Sequence, residues 1–331
     1  MELHRRAVLK FGLAAGATAA LSACGGVKTT GGSSGGKYPS GPIELSIGFA
    51  PGGSTDLIGR AFGREMEGLL SQAMPIVNTP GANGVVAAQE LLQAKPDGYT
   101  IGIANSSTFT VTPLAASEKE KMVADDFDVL LGMTQDDWVL VANPKSGWSS
   151  LDDVKAAGKR ITFGTTGAGS GAHLAGLLAF AVAGVEAKDV PFDGDAPAMT
   201  AALGGQVDVA SVQLAGAYEN IKAGKLAPLV IFSAEPSPAL PELKTAKDQG
   251  YDIAMSQWRL LLAPKGMPEE TRTTLADAAL KAASAEPFAT FCKDNLLQPT
   301  VFDSAEITKL VTDAAVKNQE LVTKYNIKFG V

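Results

Sequence analysis

The chain has 331 residues, with 28 lysines and arginines against 35 aspartates and glutamates, and its formal net charge is −7. An acidic chain of this kind is a poor partner for nucleic acid, whose phosphates need a basic surface. Only two histidines are present, and because His4 lies in the N-terminal segment predicted below to be removed, a multi-histidine zinc site is excluded and no metal-ligating residue is expected. The length is sufficient for two domains of ordinary size.

Residues 1–23 predict a processed export signal. Arg5 and Arg6 precede an uncharged run from residue 11 to 23, which is shorter than the roughly 20 residues that a membrane-spanning helix needs. The paired arginines are typical of a twin-arginine signal and fit the basic region of an ordinary Sec signal equally well, so both export routes stay open.

The signal ends in Leu21-Ser22-Ala23-Cys24, which resembles a bacterial lipobox. This pattern predicts that Cys24 is acylated and becomes the mature N-terminus, so that the protein is anchored by lipid to the outer face of the cell membrane. Residues 24–40 are rich in glycine and serine and predict a flexible tether. Cys292 is then a lone thiol and is expected to be buried.

Apolar strand-like segments alternate with helical segments twice along the mature chain. The first series covers 43–49, 57–70, 75–78, 84–93 and 100–104, and the second covers 160–163, 171–183, 190–192, 197–203 and 207–212. Because this alternation is typical of parallel sheets flanked by helices, it predicts an α/β protein with two similar lobes, each a mostly parallel sheet.

Two similar apolar segments, 139–145 and 260–265, flank the second series, and each ends in a Pro-Lys turn. We interpret them as the two crossings between domains. Domain 1 is then discontinuous, comprising 41–142 and 258–331, and domain 2 comprises 143–257. A ligand is expected between the lobes, beside the carboxyl ends of the parallel strands.

The segment from Ile47 to Asp56 carries the first candidate site. An apolar strand breaks at Pro-Gly-Gly and restarts as a helix, so backbone amides at the helix start are free to bind an anion. The candidate ligand residues here are Phe49, Ala50, Pro51, Gly52, Gly53 and Ser54. At least one of Ser54, Thr55 and Asp56 is also expected to cap the helix with its side chain, in addition to ligand contact by the loop backbone.

A second glycine loop follows the strand at 161–163 and opens a helix in the other lobe. The candidate ligand residues are Gly167, Ala168, Gly169 and Ser170. A dinucleotide fingerprint is excluded, because the third glycine of G-x-G-x-x-G is missing.

His173 is the only histidine left after the signal is removed, and it lies three residues after Ser170. A serine hydrolase would need His173 as a base oriented by a third group, and no such group is evident locally. The favoured interpretation is that His173 steadies the loop beside the ligand by hydrogen bonding to backbone.

Four further polar residues are candidate ligand contacts. Asn105 and Ser106 follow the strand at 100–104, and Asp193 lies in a loop of the second lobe, where it could accept from a hydroxyl or an amine. Arg259 follows Trp258 at a crossing and could bind a carboxylate in two-pronged fashion; an ion pair at the surface or between the lobes is the alternative.

Several motifs together resemble the periplasmic solute receptors of tripartite tricarboxylate transporters, also called the Bug family. They cover residues 41–300 in the family's order: 49–56, 78–84, 95–100, 164–174, 191–198, 203–208 and 258–268. One departure is Asn83, which stands where the family's loop has a small residue.

The resemblance implies a two-lobed periplasmic binding protein of the Venus flytrap, type II-like fold. It implies a monomeric receptor, without a cofactor or catalysis, that closes on a small organic acid such as a tricarboxylate, dicarboxylate or aromatic carboxylate. Its partners would be one large and one small membrane subunit of the transporter. The alternatives are the receptor of an ATP-driven (ABC) importer and an exported hydrolase that uses Ser170 and His173.

Overall fold

The computed structural model describes residues 38–116 and 121–329. These described residues belong to one compact unit. The predictions for the signal, for Cys24 and for nearly all of the tether lie outside the described residues. Among the described helices, none is both long and apolar enough to cross a membrane.

The first lobe is built on a sheet in the order β2-β1-β3-β9-β4. Its strands are β1 (Glu44–Ile47), β2 (Ile76–Asn78), β3 (Thr100–Asn105), β4 (Phe127–Ala142) and β9 (Ser256–Pro264). The first three are parallel, whereas β9 runs antiparallel to both β3 and β4.

The second lobe repeats this plan in the order β6-β5-β7-β4-β8. Its own strands are β5 (Ile161–Thr165), β6 (Ala187–Pro191), β7 (Val209–Gln213) and β8 (Ala227–Ile231). Strand β5 is parallel to β6 and β7, and β4 is antiparallel to β7 and β8. The predicted two-lobed α/β fold is therefore confirmed, with antiparallel strands added to each parallel core.

Helices follow the strands along the chain. They are α1 (Ser54–Leu70), α2 (Val85–Gln93), α3 (Ser107–Thr110), α4 (Thr112–Ala115), α5 (Leu151–Ala156), α6 (Gly171–Ala183), α7 (Asp195–Leu203), α8 (Leu214–Lys222), α9 (Glu269–Ala283), α10 (Glu286–Asp294) and α11 (Ser304–Lys324). Helix α1 starts three residues before its predicted start, and α6 has the predicted bounds.

Strand β4 joins the two lobes. Its first part, Phe127 to Asp137, pairs with β9 in the first lobe, and Trp138 to Ala142 pair with β7 in the second. The last helix also touches both cores: Ile307 and Val311 pack in the first lobe, and Leu321 packs in the second. The division at 142/143 and 257/258 stays a prediction.

A close approach between the lobes' joining strand and α6 requires a glycine. Gly171 is the first residue of α6, and a Cβ added there would overlap the indole of Trp138, which is 3% exposed. Because Gly171 has no side chain, the Trp138 ring packs directly on the start of this helix.

We expect Gly171→Ala to destabilise the protein by about 1 to 3 kcal/mol, because the rigid indole must shift to admit the methyl group. Gly68→Ala is the control: Gly68 lies in α1 with open space around it, and alanine there should stabilise the helix by up to about 1 kcal/mol. Urea unfolding midpoints measure both. Equal effects of the two substitutions would contradict this packing.

Candidate functional site

A cavity of about 550 Å³ lies between the two lobes, within the size range of small-molecule sites. Its lining residues are Gly48, Phe49, Ala50, Gly53, Ser54, Thr55, Pro80, Gly81, Ala82, Asn83 and Asn105 from the first lobe, Trp138 from the joining strand, and Thr166, Gly167, Ala168, Phe192, Asp193, Gly194, Asp195 and Gln213 from the second. Both glycine loops therefore contribute, and the carboxyl ends of β1, β3, β5 and β7 converge here.

Helix α1 presents an uncapped N-terminus to this cavity. No side chain caps the helix at Gly53, so the predicted side-chain cap is wrong. The Gly52 and Gly53 amides are occupied, since Gly52 N–H donates to Asp56 Oδ2 at 2.8 Å and Gly53 N–H donates to Ala50 O at 3.2 Å. The amides of Ser54 and Thr55 have no acceptor among the described residues. They and the positive end of the helix dipole favour an anion.

Two carboxamide side chains extend this donor surface, one from each lobe. Asn105 is 6% exposed and Gln213 is 5% exposed. Thr55 Oγ1 donates to Asn105 Oδ1 at 3.1 Å, and Ser54 Oγ donates across the lobes to Gln213 Oε1 at 3.0 Å. With both oxygens occupied, Asn105 Nδ2 and Gln213 Nε2 have no acceptor among the described residues and remain as free donors at the cavity wall.

Arg259 fixes the orientation of Gln213. Its side chain is fully buried, and its Nη2 lies 3.3 Å from both Gln213 Oε1 and Ser54 Oγ. Because a guanidinium only donates hydrogen bonds, the Gln213 atom that faces it must be the oxygen. Arg259 therefore lies behind the cavity wall in this structure, and its predicted direct contact with a ligand stays a prediction.

Two carboxyl groups surround this arginine. Asp136 Oδ2 lies 3.8 Å from Arg259 Nη2, and Asp195 Oδ1 accepts from the Gln213 backbone N–H at 3.0 Å. Burial raises the pKa of Asp136 to about 7 and that of Asp195 to about 6, and the positive charge of Arg259 opposes both shifts. Of the charged side chains in the described part of the chain, only Asp193 and Asp195 line the cavity.

The second glycine loop is held by its own contacts. Gly169 N–H donates to His173 Nδ1 at 3.0 Å, and Ser170 Oγ caps α6 by accepting from His173 N–H at 3.2 Å. Burial lowers the pKa of His173, opposed by Asp189, whose Oδ2 lies 3.4 Å from Nε2. The neutral ring therefore carries its proton on Nε2, and His173 has the loop-steadying geometry expected of it.

The structure brings eight of the fifteen predicted ligand residues to one cavity: Phe49, Ala50, Gly53, Ser54, Asn105, Gly167, Ala168 and Asp193. It places seven elsewhere. Gly52 lines a neighbouring chamber, Pro51 is exposed, Ser106 Oγ accepts from Trp258 N–H, and Gly169, Ser170, His173 and Arg259 lie behind the wall.

Sequence reasoning missed Gln213, Asp195 and the segment 80–83. The signal for Gln213 was present, because it ends a strand and precedes a helix, as the candidate Asn105 does. Asn83 has a positive φ of 56°, which asparagine tolerates better than most residues. Its Nδ2 donates to Thr112 Oγ1, which donates in turn to Gly169 O of the other lobe.

The neighbouring chamber has a volume of about 360 Å³ and shares Gly53, Ser54 and 193–195 with the main cavity. Its other walls include the apolar side chains of Leu57, Met199 and Phe291. The cleft between the lobes thus has a polar part and a more apolar part.

The chain resembles known solute receptors along most of its length. The model of the tripartite tricarboxylate transporter family receptor matches residues 58–327. BugT of Bordetella pertussis is 32% identical over 235 residues, which are 69% of this chain and 72% of that protein.

Two solved structures agree with this match. A periplasmic transporter is 31% identical, with a TM-score of 0.80 over 88% of this chain and 99% of its own. MatC of Rhodopseudomonas palustris, solved with bound malate, is 26% identical, with a TM-score of 0.76 over 86% of this chain and 100% of its own. The chain therefore belongs to the tripartite tricarboxylate transporter receptor family and is one of its Bug-type solute-binding proteins.

Proposed function

We propose that this receptor captures a small organic carboxylate in the cavity between its lobes and delivers it to the membrane subunits of a tripartite tricarboxylate transporter. The observation that carries the proposal is the set of neutral donors at the cavity wall: the amides of Ser54 and Thr55, Asn105 Nδ2 and Gln213 Nε2. The malate bound by the relative MatC supports a carboxylate as the ligand.

The affinity is expected to come from several donors acting together. A helix N-terminus contributes about 0.3 to 1 kcal/mol where exposed, and a hydrogen bond to a charged group contributes about 1.5 to 3 kcal/mol. In this proposal the receptor only binds its ligand, without a catalytic step or a cofactor, and acts as a monomer.

The sequence supports export and lipid anchoring at Cys24, which places the receptor on the periplasmic or outer face of the cell membrane. Metabolic labelling with palmitate tests the anchor, and an unlabelled mature chain would rule it out.

The two alternative functions, an ABC-importer receptor and an exported hydrolase, have less support than the proposed one. The receptor of an ABC importer would use the same cleft with another membrane partner, and the family match favours the tripartite transporter. The hydrolase alternative is disfavoured by geometry: Ser170 Oγ donates to Gly167 O at 2.7 Å, and His173 Nδ1 is occupied by Gly169 N–H. The ring is therefore not hydrogen-bonded to the hydroxyl that it would have to activate.

A thermal-shift screen of organic acids on the chain starting at Lys37 tests the proposal. An acid present at 100 times its Kd should add about 2.7 kcal/mol to the free energy of unfolding, because it binds only the folded state. Neutral sugars and simple amines serve as controls and should give no shift. Stabilisation by a sugar, with no response to any acid at millimolar concentration, would contradict the proposal.

Gln213→Glu tests the donor role of the Gln213 side chain. The new carboxylate keeps an acceptor for Arg259 and Ser54 but replaces the Nε2 donor with a negatively charged oxygen. We expect the affinity for the acid found in the screen to fall by about 10- to 100-fold, the equivalent of one hydrogen bond to a charged group. Isothermal calorimetry measures the loss.

Gln93→Glu is the matched control, because Gln93 is exposed at the end of α2 and is not among the residues that line the cavity. It makes the same charge change and should leave the affinity unaltered. An affinity of the Gln213 variant within twofold of the unsubstituted protein would remove Gln213 from the binding site.

A further inference from the structure

The cavity wall carries acidic side chains, which do not suit a ligand with only negative charge. Asp193 and Asp195 line the cavity, and none of the described residues that line it is a lysine, arginine or histidine. Arg259 is fully buried behind the wall, where its Nη2 contacts Ser54 and Gln213 and its Nε and Nη1 have no hydrogen-bond partner among the described residues. An anionic ligand would therefore meet two carboxylates, and none of the described residues brings a cationic side chain into the cavity.

Asp195 has one oxygen that is free to bind a ligand. It is the first residue of α7, and its Oδ1 accepts from the Gln213 backbone N–H at 3.0 Å. Its Oδ2 has no hydrogen-bond donor among the described residues. Burial raises the pKa of this carboxyl to about 6, despite the opposing charge of Arg259 and the Gln213 hydrogen bond. Its negative charge is thus incompletely compensated by the protein.

Hydrogen-bond donors line the same cavity as the Asp195 carboxylate. Asn105 and Gln213 are both more than nine-tenths buried, and both line the cavity with a free NH₂ group, because their oxygens are held by Thr55 and by Ser54 with Arg259. These NH₂ groups face the cavity, where an acceptor atom of a bound ligand can complete their hydrogen bonds.

Gln213 belongs to the donor surface and also contacts the acidic side chain of Asp195. Its side-chain NH₂ is one of the donors, and its backbone N–H positions the Asp195 carboxylate. Donors for an anion and acceptors for a cation therefore lie on the same wall, an arrangement that suits a ligand whose anionic and cationic groups are attached close together.

We propose that the ligand is a carboxylate that also carries an ammonium group, an amino acid in the broad sense. Its carboxylate binds the amides of α1 together with Asn105 and Gln213, and its ammonium group binds Asp195 and Asp193. This inference rests on the proposed function, because it concerns the same cavity. A metal ion in place of the ammonium group is less suitable, since the described residues contain no group of three or more acidic, histidine or cysteine side chains that could hold one.

The test compares matched pairs of acids that differ only by an α-ammonium group: acetate and glycine, propionate and alanine, succinate and aspartate, glutarate and glutamate, and phenylpropionate and phenylalanine. Calorimetry at pH 7.5 in the presence of EDTA measures each Kd on the chain starting at Lys37. In the pair with the best-fitting carbon skeleton, we expect the amino form to bind at least about tenfold more tightly, the effect of one charge-assisted hydrogen bond.

Asp195→Asn keeps an oxygen for the Gln213 N–H but removes the charge. It should weaken binding of that amino acid at least about tenfold and abolish the preference over the plain acid. Asp252→Asn is the matched control, since Asp252 is exposed and outside the cavity lining, and it should keep the preference. Melting temperatures of both variants verify that they are folded.

Plain acids that bind as tightly as their amino partners, or an Asp195→Asn variant with an undiminished preference, would overturn this inference while leaving a carboxylate receptor intact. A further outcome is a plain acid that binds only when EDTA is replaced by a divalent cation. That result would show that a metal ion takes the role assigned to the ammonium group, and it would also overturn the inference. If no acid of either kind binds, the proposed function fails as well.

Discussion

One oxygen atom, Gln213 Oε1, connects the two halves of the candidate site. It accepts from Ser54 Oγ of the first lobe at 3.0 Å and lies 3.3 Å from Nη2 of Arg259. These contacts join the end of β7 to the start of α1 and to Arg259 in strand β9. They also decide which end of the Gln213 carboxamide faces the cavity. The donor surface proposed for the ligand depends on this single orientation.

The buried charge around that oxygen explains why neutral groups are suited to bind the ligand. Arg259 is buried and contacts Gln213 and Ser54 through Nη2, and the carboxyl groups of Asp136 and Asp195 have raised pKa values because they are buried. From the described residues the cavity therefore offers amides, carboxamides and two acids rather than a positive side chain. Recognition of a carboxylate then depends on directed hydrogen bonds, which discriminate by geometry as well as by charge.

The sequence predicted the fold well because its signals are local. The strand-to-helix alternation and the glycine loops identified both lobes, and α6 was predicted to the residue. The sequence did not reveal that β4 spans sixteen residues and serves both sheets. Its apolar pattern predicted only the part near Val139, because pairing with β9 is a tertiary contact.

The site was predicted less completely, because it depends on tertiary contacts that the sequence does not show. Both glycine loops reach the cavity, yet the start of α6 is covered by Trp138, and Gly169 and Ser170 lie behind the wall. Arg259 was recognised as a notable cation, but its complete burial follows from packing between strands that are distant in sequence. The strand-end position of Gln213 was visible in the sequence, but its partners Ser54 and Arg259 are distant in sequence and no local pattern identifies them.

The most direct measurement is a crystal structure of the chain from Lys37 with its best-binding acid. The account predicts a carboxylate between the lobes, within hydrogen-bond distance of the Ser54 or Thr55 amide, Asn105 Nδ2 and Gln213 Nε2. A cleft occupied by a neutral sugar or a bare cation would contradict it. A carboxylate bound away from the start of α1, with both carboxamide groups untouched, would contradict it equally.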